Sequence, residues 1–193
     1  MQTAASPTAN TKRPSDALLA RGGNSGWKQD SSEPVPGRCP AGHQCGHLLK
    51  FHAPGLRILA FPCNQFDLQE PGKNSELLNG IKYVRPGGGF EPHPRLHIFG
   101  KLSVNGREEH PFYASLKKVC PNTVEEIGER EFLHYDPIRA SDIVWNFEKF
   151  LIDAEGRVRY RYHPSNWGPE SSIEDHVKLL LHERNSKLDS SMQ

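Results

Sequence analysis

A short apolar run that ends abruptly at a proline is the feature that most constrains this sequence. The run extends from Leu56 to Phe61, and Pro62 follows it directly. Such a run is typical of a buried strand in a parallel sheet that is covered on both faces. The residues beyond it include the uncharged amides Asn64, Gln65 and Gln69. The sequence therefore predicts hydrogen-bonding groups presented where a strand leaves the sheet.

The bulk composition predicts one folded domain preceded by an unstructured segment. The chain has 193 residues, but its hydrophobic content of 35% and mean hydropathy of −0.67 are low for a chain that is folded throughout. Residues 1–38 are rich in Ser, Pro, Gly, Thr and Ala, and we expect them to be disordered. We expect the folded domain to comprise residues 39–185 and a polar tail to comprise residues 186–193.

Charge and hydropathy argue against several kinds of partner. The formal net charge of +1 gives no general attraction to nucleic acid or to an anionic membrane. No apolar run approaches the length that spans a bilayer. The N-terminus has no long apolar segment, so no signal peptide is predicted and the expected location is cytoplasmic.

The order of the downstream elements predicts a mixed-sheet α/β fold. Pro111 begins a helical pattern, and residues 143–152 have the composition of a strand. A turn containing Gly156 separates that strand from residues 157–163, where aromatic and basic side chains alternate. A capping-box pattern over residues 171–174 begins a last helix. This order predicts a mixed sheet flanked by helices.

Three blocks resemble the glutathione peroxidase family, and they occur in the family's order. FPCNQF with a following QE begins at Phe61, KYVRPGGGFEP begins at Lys82, and WNFEKFL begins at Trp145. The resemblance extends from about His47 to about Arg184. It implies a thioredoxin-like fold and the reduction of hydrogen peroxide and organic hydroperoxides in oxidative-stress defence. It also implies glutathione as the reducing co-substrate and no bound cofactor.

The resemblance assigns supporting roles around the reacting group to Gln69, Trp145 and Asn146. Amide and indole N–H groups can donate hydrogen bonds to a thiolate or selenolate without carrying charge. Without the resemblance, a Trp beside a strand is more often a core residue and Gln69 a surface amide. Successive residues of a strand point to opposite faces, so Trp145 and Asn146 reach one site only if the chain bends there.

The nucleophile has no direct counterpart in this sequence. The family places a selenocysteine or cysteine on a tight turn some two dozen residues before FPCNQF, and residues 32–37 here contain no cysteine. Cys45 precedes a predicted short helix at His47, whose N-terminus would lower a thiol pKa. Cys45 is therefore the candidate for a displaced nucleophile, and an ordinary exposed thiol is the alternative.

The strand that should precede that turn is also not recognisable. Residues 1–50 show no run of strand-forming residues, so the sheet is predicted to lack its central strand and to leave two edges facing a gap. The alternative function is accordingly a catalytically inactive or truncated relative. Of the remaining cysteines, Cys63 is predicted to be buried and structural, and Cys120 to pack at a helix end.

Binding of glutathione requires basic groups for its carboxylates. By resemblance, Arg85 in the KYVRPGGGF loop is the best positional match. The family's Arg pair aligns with Pro164 and Ser165, so Arg161 or Arg159 is a second candidate. The alternative for Arg161 is the solvated face of an edge strand.

Assembly and metal binding complete the expectations. The KYVRPGGGFEP loop is typical of tetrameric branches, which implies a homotetramer for an intact relative. The stretch at residues 112–121 looks most like the secreted branch, which makes an extracellular location the alternative. Zinc-ligand side chains occur at Cys39, His43, Cys45 and His47. Their spacing is tighter than in usual finger patterns, so no metal site is predicted.

Overall fold

A five-stranded mixed sheet organises the fold. The computed structural model describes residues 17–22 by their backbone, together with residues 55–84, 87–122, 124, 127–166 and 171–192. The strands are β1 (Ala17–Gly22), β2 (Leu56–Phe61), β3 (Leu96–Ile98), β4 (Glu148–Ile152) and β5 (Val158–Tyr162). Their spatial order is β3-β2-β1-β4-β5. The first three strands are parallel, and β4 is antiparallel to both β1 and β5.

The central position of the sheet is occupied, and the prediction of a gap is wrong. β1 pairs with β2 along its whole length and with β4 on its other side. The prediction of disorder throughout residues 1–38 is likewise wrong for Ala17–Gly22. Its sequence, ALLARG, contains no β-branched residue, so local preference does not indicate a strand. Its conformation is determined instead by hydrogen bonding to the two flanking strands, whose backbone groups need partners.

Helical segments connect and cover the strands. They are a 3₁₀ turn (Asn74–Glu76), α1 (Leu77–Asn79), a π-helical turn (Gly80–Val84), α2 (Pro111–Val119), a second 3₁₀ turn (Arg130–Phe132) and α3 (Ile173–Ser191). α2 begins at Pro111 as predicted, and the His110 ring accepts a hydrogen bond from the Phe112 N–H at 3.2 Å. The tail predicted over residues 186–193 is helical as far as Ser191. No helix in the described part of the chain is long and apolar enough to cross a membrane.

Alternation along the strands divides the core between the two faces of the sheet. On one face, Leu56 and Ile58 pack beneath α3 against Val177. On the other face, Phe61 packs edge-on against Tyr113 of α2, with ring centroids 5.9 Å apart. Full burial of each such side chain is worth about 1.5–3 kcal/mol, so both faces contribute to stability. The layered arrangement confirms the predicted α/β class.

The sheet brings the end of β2 and the beginning of β4 to one edge. β1 ends at Gly22, which lies between Phe61, the last residue of β2, and Glu148, the first residue of β4. The strand predicted from residue 143 starts only at Glu148. Residues 143–147 form a turn, because the Glu148 carboxylate accepts the backbone N–H of Val144 at 2.8 Å. The residues after β2 and before β4 are therefore neighbours.

Candidate active site

Left-handed backbone conformations occur on both sides of this edge. Asp67 and Leu68 have φ values of 51° and 49° just before Gln69, and Phe147 has a φ of 67° just after Asn146. No other non-glycine residue in the described ranges has a positive φ. Such conformations are unfavourable for L-residues and cluster where a site requires a particular geometry. The bend that was predicted as a condition for Trp145 and Asn146 to share a site is present.

The two predicted amides are joined across the edge. Asn146 Nδ2 donates a hydrogen bond to Gln69 Oε1 at 2.8 Å, although the residues are far apart in the chain. Gln69 Nε2 in turn donates to Asp67 Oδ2 at 3.3 Å. An amide nitrogen carries two hydrogens, so Gln69 has a second N–H that a bound sulfur anion could accept. The pair thus forms a neutral donor group at the sheet edge.

Trp145 lies beside this pair and lines a cavity of about 580 Å³. The indole is half-buried and packs against Phe66, with ring centroids 5.5 Å apart. The cavity is lined by Asp67, Gln69, Ile127, Gly128, Glu129, Phe132, Val144, Trp145, His163 and Pro164. Its volume is in the range of sites for small molecules. Gln69 and Trp145 thus share one cavity, and Asn146 is bonded to its wall.

The other amides predicted at the end of β2 have structural contacts instead. Asn64 Oδ1 accepts the backbone N–H of Glu70 at 2.8 Å. Gln65 is buried, and its side chain both accepts the Asn105 N–H at 3.0 Å and donates to the Asn105 carbonyl at 2.9 Å. Of the three amides, only Gln69 lines the cavity.

The two cysteines in the described ranges do not line the cavity. Cys63 is 1% exposed, and burial raises the pKa of its thiol to about 11. Cys120 is half-buried at the end of α2, where burial also raises its thiol pKa. Because the thiolate is the reactive form, neither position favours nucleophilic chemistry. The predicted burial of Cys63 and packing of Cys120 are confirmed.

Arg161 lies in the interior, so the alternative of a solvated strand face is wrong. Its guanidinium forms an ion pair with the buried Glu148 carboxylate. It also donates to the Cys120 and Ser141 carbonyls, each at 3.2 Å, and to the Asp142 carbonyl at 2.9 Å. Five donors in a rigid fork suit this set of oxygens. Because these contacts hold the guanidinium in the interior, Arg161 is not placed to bind a glutathione carboxylate.

Several predicted residues lie outside the described ranges. They are Arg85, Cys39, His43, Cys45 and His47. Within the described ranges, no group of His, Cys, Asp and Glu is arranged to hold a metal ion. The cavity wall also includes Asp67 and His163, which were not among the predicted site residues. Asp67 could have been found, because it lies in the same block two residues before Gln69. His163 could not, because only the fold brings it close to Gln69 and Trp145.

A mixed sheet with polar groups at the carboxyl end of its parallel strands is the arrangement expected of a thioredoxin-like α/β protein. The crystal structure of T. cruzi GPX1 shares this fold, with a TM-score of 0.50 and 24% identity over 93% of this chain and 89% of that chain. The predicted fold is confirmed.

Sequence comparisons then identify the family. Residues 39–117 match the family model described as glutathione peroxidase. A cuticular glutathione peroxidase of Wuchereria bancrofti is 59% identical over 128 residues, which are 66% of this chain and 57% of that protein. Glutathione peroxidase 3 of Caenorhabditis elegans is 53% identical over 136 residues, 70% of this chain and 61% of that protein. The chain belongs to the glutathione peroxidase family, as its three blocks predicted, and spans about three fifths of the length of these curated relatives.

Proposed function

We propose that this protein is a thiol-dependent peroxidase that reduces hydrogen peroxide and organic hydroperoxides with glutathione in oxidative-stress defence. The observation that carries the proposal is the bonded pair Gln69 and Asn146 beside Trp145, at the wall of one cavity. The names of the relatives from Wuchereria bancrofti and Caenorhabditis elegans support the same activity.

The reaction needs an ionised sulfur or selenium. The thiolate attacks one oxygen of the peroxide, the O–O bond breaks, and the departing alkoxide takes a proton to leave as alcohol or water. The resulting sulfenic acid condenses with one glutathione thiol, releasing water and forming a mixed disulfide. A second glutathione then displaces the protein thiolate and leaves as glutathione disulfide. Gln69, Trp145 and Asn146 stabilise the anionic sulfur as uncharged donors.

Cys45 is the proposed nucleophile. Peroxide-dependent oxidation of glutathione by the full chain tests this, with Cys45→Ser compared with Cys39→Ser. Turnover is expected to be lost in the first variant and retained in the second, because both remove a thiol from the same stretch but only one removes the nucleophile. Retained turnover in Cys45→Ser would contradict the assignment.

A catalytically inactive relative is the second candidate function. β1 occupies the central position, yet residues 23–38, which follow it, contain no cysteine. If the nucleophile had to lie in this segment, the chain would therefore have no thiol to supply it. Saturable glutathione binding without any peroxide-dependent turnover would favour this candidate, and turnover that depends on a cysteine would exclude it.

Glutathione binding through Arg85 and a tetrameric assembly are part of the proposal. Arg85→Ala is expected to raise the KM for glutathione more than the KM for peroxide, because a carboxylate partner is lost.

Next to Arg85, Tyr83 and Val84 are 67% and 76% exposed, which provides apolar surface for a second subunit. Light scattering of the purified protein tests the tetramer, and a monomeric mass would contradict it.

We also propose an extracellular location in place of the cytoplasmic one predicted from the sequence. The support is the word cuticular in the names of relatives from Wuchereria bancrofti and Brugia malayi. Detection of the protein in secreted or cuticular fractions of the organism tests this, and its confinement to the cytosol would contradict it.

A further inference from the structure

The turn after β5 forms part of the cavity wall through His163 and Pro164. The Asn166 N–H donates to the His163 carbonyl at 2.9 Å and closes the turn. Lys149 of β4 is 1% exposed, and its ammonium donates to the Pro164 carbonyl at 3.1 Å. A buried ammonium that binds this carbonyl fixes the turn to β4, the strand that begins just after Asn146. His163 is therefore held in place relative to the candidate active site.

The contacts of the His163 ring determine its tautomer. The Ser165 backbone N–H donates to Nδ1 at 3.2 Å, and the Ser165 hydroxyl lies 2.7 Å from the same nitrogen. A backbone N–H can only donate, so Nδ1 is the acceptor and the ring proton lies on Nε2. Burial and the charge of Lys149 lower the pKa of His163, which favours this neutral form. Within the described part of the chain, no hydrogen bond to Nε2 is formed.

The charges around the cavity restrict what this donor can bind. Asp67 and Glu129 line the same cavity, whereas the ammonium of Lys149 is buried behind the turn. Two carboxylates disfavour a carboxylate of a ligand at this wall. An uncharged carbonyl oxygen is a suitable acceptor, and a peptide supplies one at every amide. The cavity, at about 580 Å³, is also large enough for a tripeptide and larger than a peroxide alone requires.

We propose that His163 is a binding residue for the thiol co-substrate, and that its Nε2–H donates a hydrogen bond to a peptide carbonyl oxygen of that co-substrate. The role rests on the proposed use of glutathione. It differs from the roles of Gln69, Trp145 and Asn146, which surround the reacting sulfur.

Two substitutions of similar size separate this donor from the rest of the ring. In His163→Gln the side-chain amide nitrogen reaches the position of Nε2, so the donor is retained. In His163→Asn the amide reaches only the position of Nδ1, where its oxygen can still accept the Ser165 N–H. Calorimetric titration of the full chain with reduced glutathione, without oxygen or peroxide, measures binding independently of turnover.

The expected result is a Kd about five- to tenfold higher in His163→Asn and within about twofold of wild type in His163→Gln, as for the loss of one hydrogen bond. Cysteamine, a thiol without a carbonyl group, is expected to bind wild type and His163→Asn equally. Where turnover is present, kcat/KM for glutathione should fall in His163→Asn while kcat/KM for peroxide is unchanged.

Several results would overturn the role of His163. They are equal glutathione affinity in all three proteins, equal weakening in both variants, or no glutathione binding by the wild type. An equal decrease in kcat/KM for peroxide would also do so. Should His163→Asn fail to fold, the wild type alone still tests the role. Equal affinity for glutathione and for cysteamine, which has no carbonyl group, would overturn it. The predicted binding pattern without any turnover would instead sustain this role and remove only the peroxidase proposal.

Discussion

Two polar clusters lie close to the same edge of the sheet, and they differ in how their hydrogen bonds are used. The first, here called the charge network, comprises Arg161, Glu148, Lys117, Asp142 and Glu109. The second, here called the amide site, comprises Gln69, Asn146 and Trp145. Apart from the half-buried Glu109, the charge network is buried and its groups bond to one another and to backbone carbonyls, whereas Gln69 and Trp145 of the amide site line a cavity. Of these two clusters, the charged one therefore supports the fold and the neutral one forms the candidate site.

Lys117 shows how completely the charge network is paired. Its ammonium donates to Glu109 at 2.6 Å and to Asp142, Asn105 Oδ1 and the Val104 carbonyl, each at 3.0 Å. The Asn105 side chain also binds both backbone groups of residue 143, each at 2.9 Å. The network thus supports, from the interior, the turn that carries Trp145 and Asn146.

The largest expected effect is on stability, from Arg161→Met. The substitution leaves the Glu148 carboxylate buried without its cation, so the free energy of unfolding should decrease by about 3–5 kcal/mol in urea denaturation. Arg107→Met is the matched control, since Arg107 pairs with Asp136 at an exposed position and such pairs contribute about 0–1 kcal/mol. Equal effects of the two substitutions would contradict the distinction between network and surface.

A somewhat smaller loss of stability is expected for Gln65→Leu. Gln65 belongs to the same block as Gln69, but its Oε1 accepts the buried N–H groups of Val104 and Asn105 at 2.8 and 3.0 Å. Leaving these donors unpaired should lower the free energy of unfolding by about 2–3 kcal/mol. Asn64→Ala, which removes one half-buried contact, serves as the comparison and should have about half that effect or less. A stability equal to wild type would show that the contacts of Gln65 with Val104 and Asn105 do not contribute to folding.

Substitutions in the amide site should show the opposite pattern. Gln69→Ala and Asn146→Ala each remove the 2.8 Å contact between the two side chains, which should lower the free energy of unfolding by only about 0.5–1.5 kcal/mol. Peroxidase turnover, if the proposed function holds, should fall about 10²-fold through loss of a donor to the anionic sulfur. Asn122→Ala, an amide outside the cavity, should leave turnover unchanged. Unchanged turnover in both site variants would separate the amide site from catalysis.

The smallest expected effect is a pH dependence of stability due to His163. Its pKa in the folded state is lowered by burial and then by Lys149. The unfolded chain, with a pKa of about 6.5, therefore takes up a proton first as the pH falls. As the pH falls from about 6.5 to the lower pKa of the folded state, the free energy of unfolding should decrease. It should be recovered when the pH is raised above about 6.5. The difference between wild type and His163→Asn in urea titrations isolates this contribution, and a difference independent of pH would contradict it.

Local sequence patterns predicted the elements that depend on near neighbours. The apolar run gave β2 with its observed bounds, Pro111 marked the beginning of α2, and the family blocks identified Gln69, Trp145 and Asn146. The elements that depend on distant partners were not predictable. β1 has weak local preference and needs two neighbouring strands, and Arg161 follows an alternating pattern that gives no sign of the buried carboxylate opposite it.

The central position of β1 also constrains how the chain folds. β1 comes from near the start of the chain and hydrogen-bonds to β4, which comes from near its end. The sheet cannot be completed until these distant segments meet, and closing so long a loop carries a large entropic penalty and slows folding. Until then β2 and β4 present unpaired edges that can join other chains. Refolding is therefore expected to compete with aggregation, and its yield should fall as protein concentration rises.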